Sequence, residues 1–301
     1  IVFLPEAFDF ISENKEEALK NAESLEGELI SRFRLLAKDN DAWLSLGGFH
    51  EKVSDTKIAN THIIINNSGD IVETYRKVHL FDVNIPAKGV KLQESKIVEG
   101  GDKIVSPVQT PFGNIGLSIC YDLRFPEMGM MLKNLGADIL TYPSAFTYAT
   151  GSLHWETLLR TRAIENQVYV VAAAQCGKHN SKRTSWGHSM VVDPNGTIIG
   201  QCPEGIGFTL ALIEPSIIGN LSQEMPVWDH RRNDLYPTLL PLNNKKSVTI
   251  RNPNQHFQFG QVSVNSDAIF YNTDLTVAFT NKRCIVPGRI LFFFLYILFF
   301  L

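Results

Sequence analysis

The reading of the fold turns on "TPFGNIGLSICYDLRFPE", residues 110 to 127. Ile115, Leu117 and Ile119 alternate with Gly116 and Ser118, the period-two pattern of a strand. The pattern breaks at Cys120 into a charged segment closed by Pro126. A strand that delivers a thiol at or just past its end, opening into a turn or helix, places backbone N–H groups where they can bind an oxyanion. A thiol attacks as the thiolate, so a nucleophilic cysteine needs a base or a positive charge beside it. Free cysteines are also among the most buried residue types. Taken locally, Cys120 reads more readily as a packing residue than as a nucleophile.

Working outward, strand and helix patterns alternate through about residue 215. Residues 13–41 place Ala18, Leu19, Ala22, Leu25, Leu29, Ile30, Phe33, Leu36 and Ala37 at helical spacing, which predicts one or two amphipathic helices covering a sheet. "THIIINNSGDIVETYRKVHL", residues 61 to 80, is two β-branched runs joined by a polar, Gly-containing turn, a hairpin that carries Lys77 at its far end. "GADILTYPSAF" and "VYVVAAAQC" repeat the strand pattern around an amphipathic helix over 154–167, and 187–202 is a second hairpin turning at Pro-Asn-Gly. This order predicts a layered α/β domain. After "EMPVWDHRRNDLYP" the chain becomes polar and Asn-rich, a linker over 241–256, followed by a short β segment over 257–289 and an apolar tail over 290–301.

Composition narrows the class of function. The chain has 301 residues, 44% hydrophobic and 20% charged, with a net charge of −3 and no basic block. That balance argues against a nucleic acid or an anionic membrane surface as the main partner and favours a small-molecule ligand. The four cysteines are scattered without metal-ligand spacing, so they read as reduced thiols, and no metal is expected. The twelve apolar residues of the tail fall short of the ~20 that a membrane-spanning helix requires, and the start shows no secretory signal.

Three segments in order, "FLPE", "YRKVHLF" and "ICYDLRFPE", resemble the three catalytic segments of the nitrilase superfamily. The resemblance runs from residue 1 to about 235. "YPSAFTYATGSLHWETLLRTRAIENQVYVVAAAQCGKH", "SWGHSMVVDPNGTIIG" and "MPVWDHRRNDLY" are similar to its Nit branch, whose members hydrolyse small amides. It implies an αββα sandwich over 1–240, lacking the family's first strand, and a homodimer or homotetramer. It further implies a cysteine-dependent amidase that needs no cofactor, with deaminated glutathione as substrate and α-ketoglutaramate as the alternative. Its Glu-Lys-Cys triad falls on Glu6, Lys77 and Cys120, and its additional glutamate on Glu94 in "LQESK". The Tyr121 N–H joins Lys77 as an oxyanion donor. Arg124, Phe146, Thr150 and His154 are expected near the substrate, the last three on a loop with Tyr148, while Arg124 is weighed equally as half of a buried ion pair with Glu127. Trp155, Leu158 and Leu159 read as core, Cys176 and Cys202 as packing residues, and His188 as a structural hydrogen-bonding histidine.

Residues 257–289 resemble the opening strands of the Fhit-type histidine-triad domain, which is fused to Nit domains in some proteins. Asn281, Pro287 and Gly288 fall where that domain begins its nucleotide pocket, but the His-x-His-x-His motif is absent, so no dinucleotide hydrolysis is expected and the segment is expected to be disordered or loosely attached. A non-catalytic scaffold on a degraded Nit fold is the competing expectation. The implied address is cytoplasmic or, with a presequence ahead of residue 1, mitochondrial.

Overall fold

The computed structural model describes residues 1–84, 92–232, 234 and 235 with their side chains, and the backbone alone of residues 85, 90 and 91 and of five strands within 256–294. The chain divides into two compact units, Ile1–Leu240 and Pro241–Leu301.

The first unit holds two sheets. One has four strands in the order β1 (Val2–Leu4), β2 (Leu44–Lys52), β3 (Ile58–Ile65) and β4 (Ile71–Arg76). The β3–β4 pair is the expected hairpin, antiparallel around a turn in which the Asn66 side chain accepts the N–H groups of Ser68 and Asp70. β5 (Asp82–Ile85) and β6 (Val90–Gln93) form a separate short hairpin. The other large sheet has six strands in the order β14-β13-β10-β9-β8-β7, comprising β7 (Val108–Thr110), β8 (Gly113–Gly116), β9 (Ile139–Thr141), β10 (Tyr169–Ala172), β13 (Met190–Val192) and β14 (Ile198–Gln201). β11 (Cys176–Lys178) and β12 (Thr184–Trp186) pair outside it.

Alternation along β3 decides how the layers stack. Ile63 and Ile65 point to one face and pack with Leu44, Leu46 and Phe49 under Ile30 and Ala37 of helix α2 (Glu28–Asp39). Ile64 points to the other face and joins the cluster built on Ile115, Leu117, Ile119, Ile139 and Val170 of the second sheet. Strand side chains alternate between faces, so one β-branched run welds a helix layer to one side and a second sheet to the other. Helix α1 (Lys15–Asn21), capped by the Asn14 side chain accepting from Glu17 N–H, adds Ala18 to a smaller cluster. On the far side lie α3 (Pro126–Asn134) and α4 (Tyr148–Asn166), whose Trp155, Leu159 and Ala163 are buried in the same core as the second sheet. The result is the expected αββα layering. Helix α5 (Pro215–Glu224) follows β14.

Three local expectations change. Leu36, counted with the buried face of the first helices, is half exposed, because the phase set by Ile30 and Ala37 turns it outward. The strand expected to run up to Cys120 ends its ladder at Gly116, while residues 117–119 continue beside β9 through side-chain bonds such as Ser118 Oγ to the Thr141 carbonyl. The helix expected over 154–167 begins at Tyr148, because Thr147 caps it by accepting the Thr150 N–H.

The second unit contributes backbone strands β15 (His256–Phe259) with β16 (Val262–Asn265), and β17 (Ile269–Asn272), β18 (Thr276–Phe279) and β19 (Leu291–Phe294) in one three-stranded antiparallel sheet. Residues 241–255, Asn281, Cys284, Pro287 and Gly288 lie outside the described residues. No helix among the described residues is long and apolar enough to cross a membrane.

Candidate active site

The sequence brings Glu6, Lys77, Glu94 and Cys120 from four separate segments, and the structure gathers them in one cluster, with Glu6 and Lys77 buried and Glu94 and Cys120 half-buried. Glu6 follows β1, Lys77 follows β4, Glu94 opens a 3-10 turn after β6, and Cys120 opens another over Cys120–Arg124. Lys77 is the centre: its Nζ donates to Glu6 Oε1 at 3.0 Å and to Glu94 Oε1 and Oε2 at 3.1 and 3.0 Å. Its side chain is 2% exposed. A buried ammonium persists when such acceptors surround it.

The neighbouring charges set the ionisation states. Burial alone would raise the Glu6 carboxyl, but the Lys77 ammonium and hydrogen bonds from the Cys120 thiol and Lys77 outweigh it and hold Glu6 below the ordinary carboxylate value. Burial would lower Lys77, yet Glu6 and Glu94 together lift it well above the usual lysine value. Cys120 moves the other way. Burial first, and then the Glu6 carboxylate, push the thiol far above its ordinary value against the pull of Lys77. These directions leave a neutral thiol beside an ionised Glu6 and a fully engaged ammonium. This thiol is served by a base, not by a surplus of positive charge.

Backbone geometry explains how the thiol is presented. Cys120 has φ +46°, an uncommon conformation for a side chain-bearing residue and one that clusters at functional sites. Its N–H is fixed to the Pro143 carbonyl at 2.9 Å. The Tyr121 N–H lies in the first turn of the 3-10 segment, where donors have no intrahelical acceptor.

Two features that hold this arrangement had no part in the sequence reading. The first is Asp122, fully buried, which accepts from Tyr75 Oη and Ile119 N at 2.8 Å each, from His79 Nδ1 at 2.7 Å and from His79 N at 3.2 Å. It ties the nucleophile turn to the segment just beyond Lys77, and His79 stacks on Phe125 at 3.7 Å to complete the tie. Asp122→Ala strands four buried or half-buried donors and is expected to destabilise the domain by about 3 kcal/mol or more, read from urea unfolding. Its signal was its place two residues after Cys120, in the charged segment that follows the strand pattern.

The second is the Gly47-Gly48 pair, where β2 bulges between Leu46 and Phe49. A Cβ on Gly48, at φ +74°, would lie 2.8 Å from the Glu6 Cα, and one on Gly47 would lie 2.0 Å from Pro143 Cβ. The bulge makes room for the base. Gly48→Ala is expected to cost about 1–3 kcal/mol in stability and, by displacing Glu6, to lower kcat by about 100-fold, measured by thermal unfolding and steady-state turnover.

The other expected site residues fall as follows. Tyr121 packs edge-on against Phe81 and Phe125. Arg124 is half-buried over the Phe146 ring at 5.3 Å, with guanidinium nitrogens 3.4 Å from His154 Nδ1. The expected ion pair with Glu127 does not form; Glu127 points to solvent from α3. Tyr148, Thr150 and His154 stand on the first turns of α4 and not on a loop, and the Thr150 hydroxyl is spent on Thr147 at 2.8 Å. Phe146 is buried against Trp155. His188 makes the structural bond to the Trp186 carbonyl at 3.0 Å, and its own carbonyl accepts Trp155 Nε1. Cys202 is buried and Cys176 half-buried, both unpaired. Among the described residues no group of His, Cys, Asp and Glu converges as a metal site.

The family model "Carbon-nitrogen hydrolase" matches residues 1–222. The chain belongs to that family. The rat deaminated glutathione amidase is 52% identical over 246 residues, covering 80% of this chain and 75% of that protein. The Drosophila melanogaster nitrilase and fragile histidine triad fusion protein NitFhit is 48% identical over 292 residues, covering 97% of this chain, which spans 62% of that relative's length. The solved structure of the Caenorhabditis elegans NitFhit protein superposes with a TM-score of 0.77 at 44% identity, over 97% of this chain and 69% of that one. The nitrilase-type α/β fold thus rests on sequence and structure together.

Proposed function

We propose that this protein is a cysteine-dependent amidase that hydrolyses a small carboxylate amide, deaminated glutathione first among the candidates, through a thioester. The observation that carries the reading is the convergence of a buried Glu6 with Lys77 at 3.0 Å, Glu94 bonding the same ammonium, and the Cys120 thiol beside them. The identity of 52% to the rat deaminated glutathione amidase supports the substrate.

Glu6 takes the thiol proton as Cys120 Sγ attacks the amide carbon, forming the C–S bond. The carbonyl oxygen becomes an oxyanion held by the Tyr121 N–H and by a Lys77 hydrogen released when its two bonds to Glu94 reduce to one. Glu6 then gives the proton to the departing nitrogen, the C–N bond breaks and ammonia leaves. For the second half Glu6 takes a proton from water, the hydroxyl attacks the thioester, and the C–S bond breaks to return the thiol and a carboxylate. Each positioned proton transfer supplies roughly 10²- to 10⁴-fold, and each oxyanion donor about 10²- to 10³-fold. Arg124, on the rim beside Phe146 and His154, offers a guanidinium to a carboxylate of the substrate. We read residues 257–289 as the opening of a histidine-triad domain, supported by the 97% coverage by a fusion relative.

Ammonia release from deaminated glutathione, with α-ketoglutaramate in parallel, tests the reading. Faster release from deaminated glutathione is expected. Preference for α-ketoglutaramate reassigns the substrate, and no release from either by folded protein rejects the amidase.

A further inference from the structure

Asn60, on β3, meets each ionised member of the cluster. Its carbonyl accepts the Lys77 N–H at 2.9 Å. Its Nδ2 donates to Glu6 Oε1 at 2.9 Å and, at 3.4 Å, to Glu94 Oε1. Its Oδ1 is buried without a partner among the described residues, and the absent Cβ of Gly48 leaves it room.

The charge balance shows why a neutral donor stands there. Two carboxylates converge on one ammonium, and all three Lys77 hydrogens point at them. The ions Glu6, Glu94 and Lys77 sum to one negative charge, and like charges at such a site push one carboxyl to hold its proton. A protonated Glu6 cannot act as a base. The other groups acting on Glu6 are the Ala145 N–H, which donates to Oε2 at 2.9 Å and leaves Oε1 to Lys77 and Asn60, the Cys120 thiol beside it, and Arg183, whose attraction ranks behind that of Lys77. An amide hydrogen favours the charged carboxylate without adding charge of its own. We infer that Asn60 is a positioning residue for the base: its amide spans Glu6 and Glu94 and keeps Glu6 ionised, so that the thiol always faces an acceptor. The inference rests on the proposed function in one respect, that Glu6 is the base.

The test uses the full chain and a neutral probe, iodoacetamide, with the alkylation rate of Cys120 followed by peptide mass mapping across the acidic and neutral pH range. In the wild type the rate falls on the acid side as Glu6 takes a proton. Hydrogen bonds to charged groups are worth about ten- to a hundredfold, so Asn60→Ala is expected to move the midpoint of that fall upward by about one to two pH units. Asn60→Asp, nearly the same shape, adds a third carboxyl and is expected to move it further in the same direction. A structural role predicts the reverse order, with the near-isosteric Asp variant closer to wild type and the rate scaled evenly at every pH. Either of those results overturns the proposal. The Asp variant carries the test should the Ala variant not fold, as judged by near-ultraviolet circular dichroism. A wild-type rate with no acid-side fall removes Glu6 as base and the proposal with it. Midpoint shifts as expected, without ammonia release from either amide, sink the substrate reading and leave the role of Asn60 standing.

Discussion

Cys120→Ala is expected to lower ammonia release by at least about 10⁴-fold while the protein stays folded. In the proposed mechanism the thiol carries the acyl group, and among the described residues the groups bonded to Glu6 are Lys77, Asn60 and the Ala145 N–H, none of them a hydroxyl or thiol. Glu6 and Lys77 remain paired in the variant, as do the Asp122 bonds that fix the turn, because neither depends on Sγ. The change removes one small buried atom, so the destabilisation should stay within the ordinary range of about 1 kcal/mol for a point substitution. Rapid-quench mass spectrometry adds a second readout: wild-type chain mixed with substrate should gain the mass of the acyl group on the peptide carrying Cys120, and the variant should gain none. Turnover retained in Cys120→Ala would send the assignment of the nucleophile elsewhere and revive the scaffold reading of this fold.

Lys77→Met is expected to damage both stability and turnover. Removing one partner of a buried ion pair leaves an uncompensated charge at a cost of about 3–5 kcal/mol, and here two carboxylates lose the same partner. The variant relieves the repulsion by binding a proton, which disables the base and is expected to lower kcat by about 10³-fold or more. The pH dependence of the loss follows from the directions of the shifts. Glu6 in the folded wild type lies below its ordinary value of 4.5, so its contribution to stability is full above that value and fades as pH falls through the folded one. Lys77 is raised above its ordinary 10.5, so its contribution is full below that and fades only as pH climbs through the higher folded value. In Lys77→Met the carboxyls are raised instead, and the variant should lose stability relative to wild type as pH rises from acid to neutral. Urea unfolding at acidic and neutral pH checks this; an equal gap at both would mean that the cation does not set the charge of the site.

Much of the site was written in short stretches of the chain. "FLPE", "YRKVHLF" and "ICYDLRFPE" each carry a polar group at the end of an apolar strand pattern, "LQESK" was placed by the family resemblance, and the four groups meet in one cluster. Asn60 and Asp122 were illegible for one reason: an amide in the middle of β3 and an acid one turn past a cysteine look like ordinary polar residues until their partners, far away in sequence, come within bonding distance. Thr150 and His154 were misjudged because the cap at Thr147 lengthens α4 by nearly two turns, and a cap is a bond between a side chain and a backbone N–H that periodicity does not register.

By itself, then, the sequence determined most of the elements and the segments that carry Glu6, Lys77, Glu94 and Cys120, whose roles the family resemblance implied. Periodicity and strand-end chemistry are local and survive in one dimension. The tertiary structure alone decided the ionisation of the site. Burial would raise Glu6, and the Lys77 ammonium beside it turns that shift downward, while burial and the Glu6 carboxylate push the Cys120 thiol up. Desolvation and Coulomb interactions between groups 71 residues apart depend on distances and burial that no local pattern encodes.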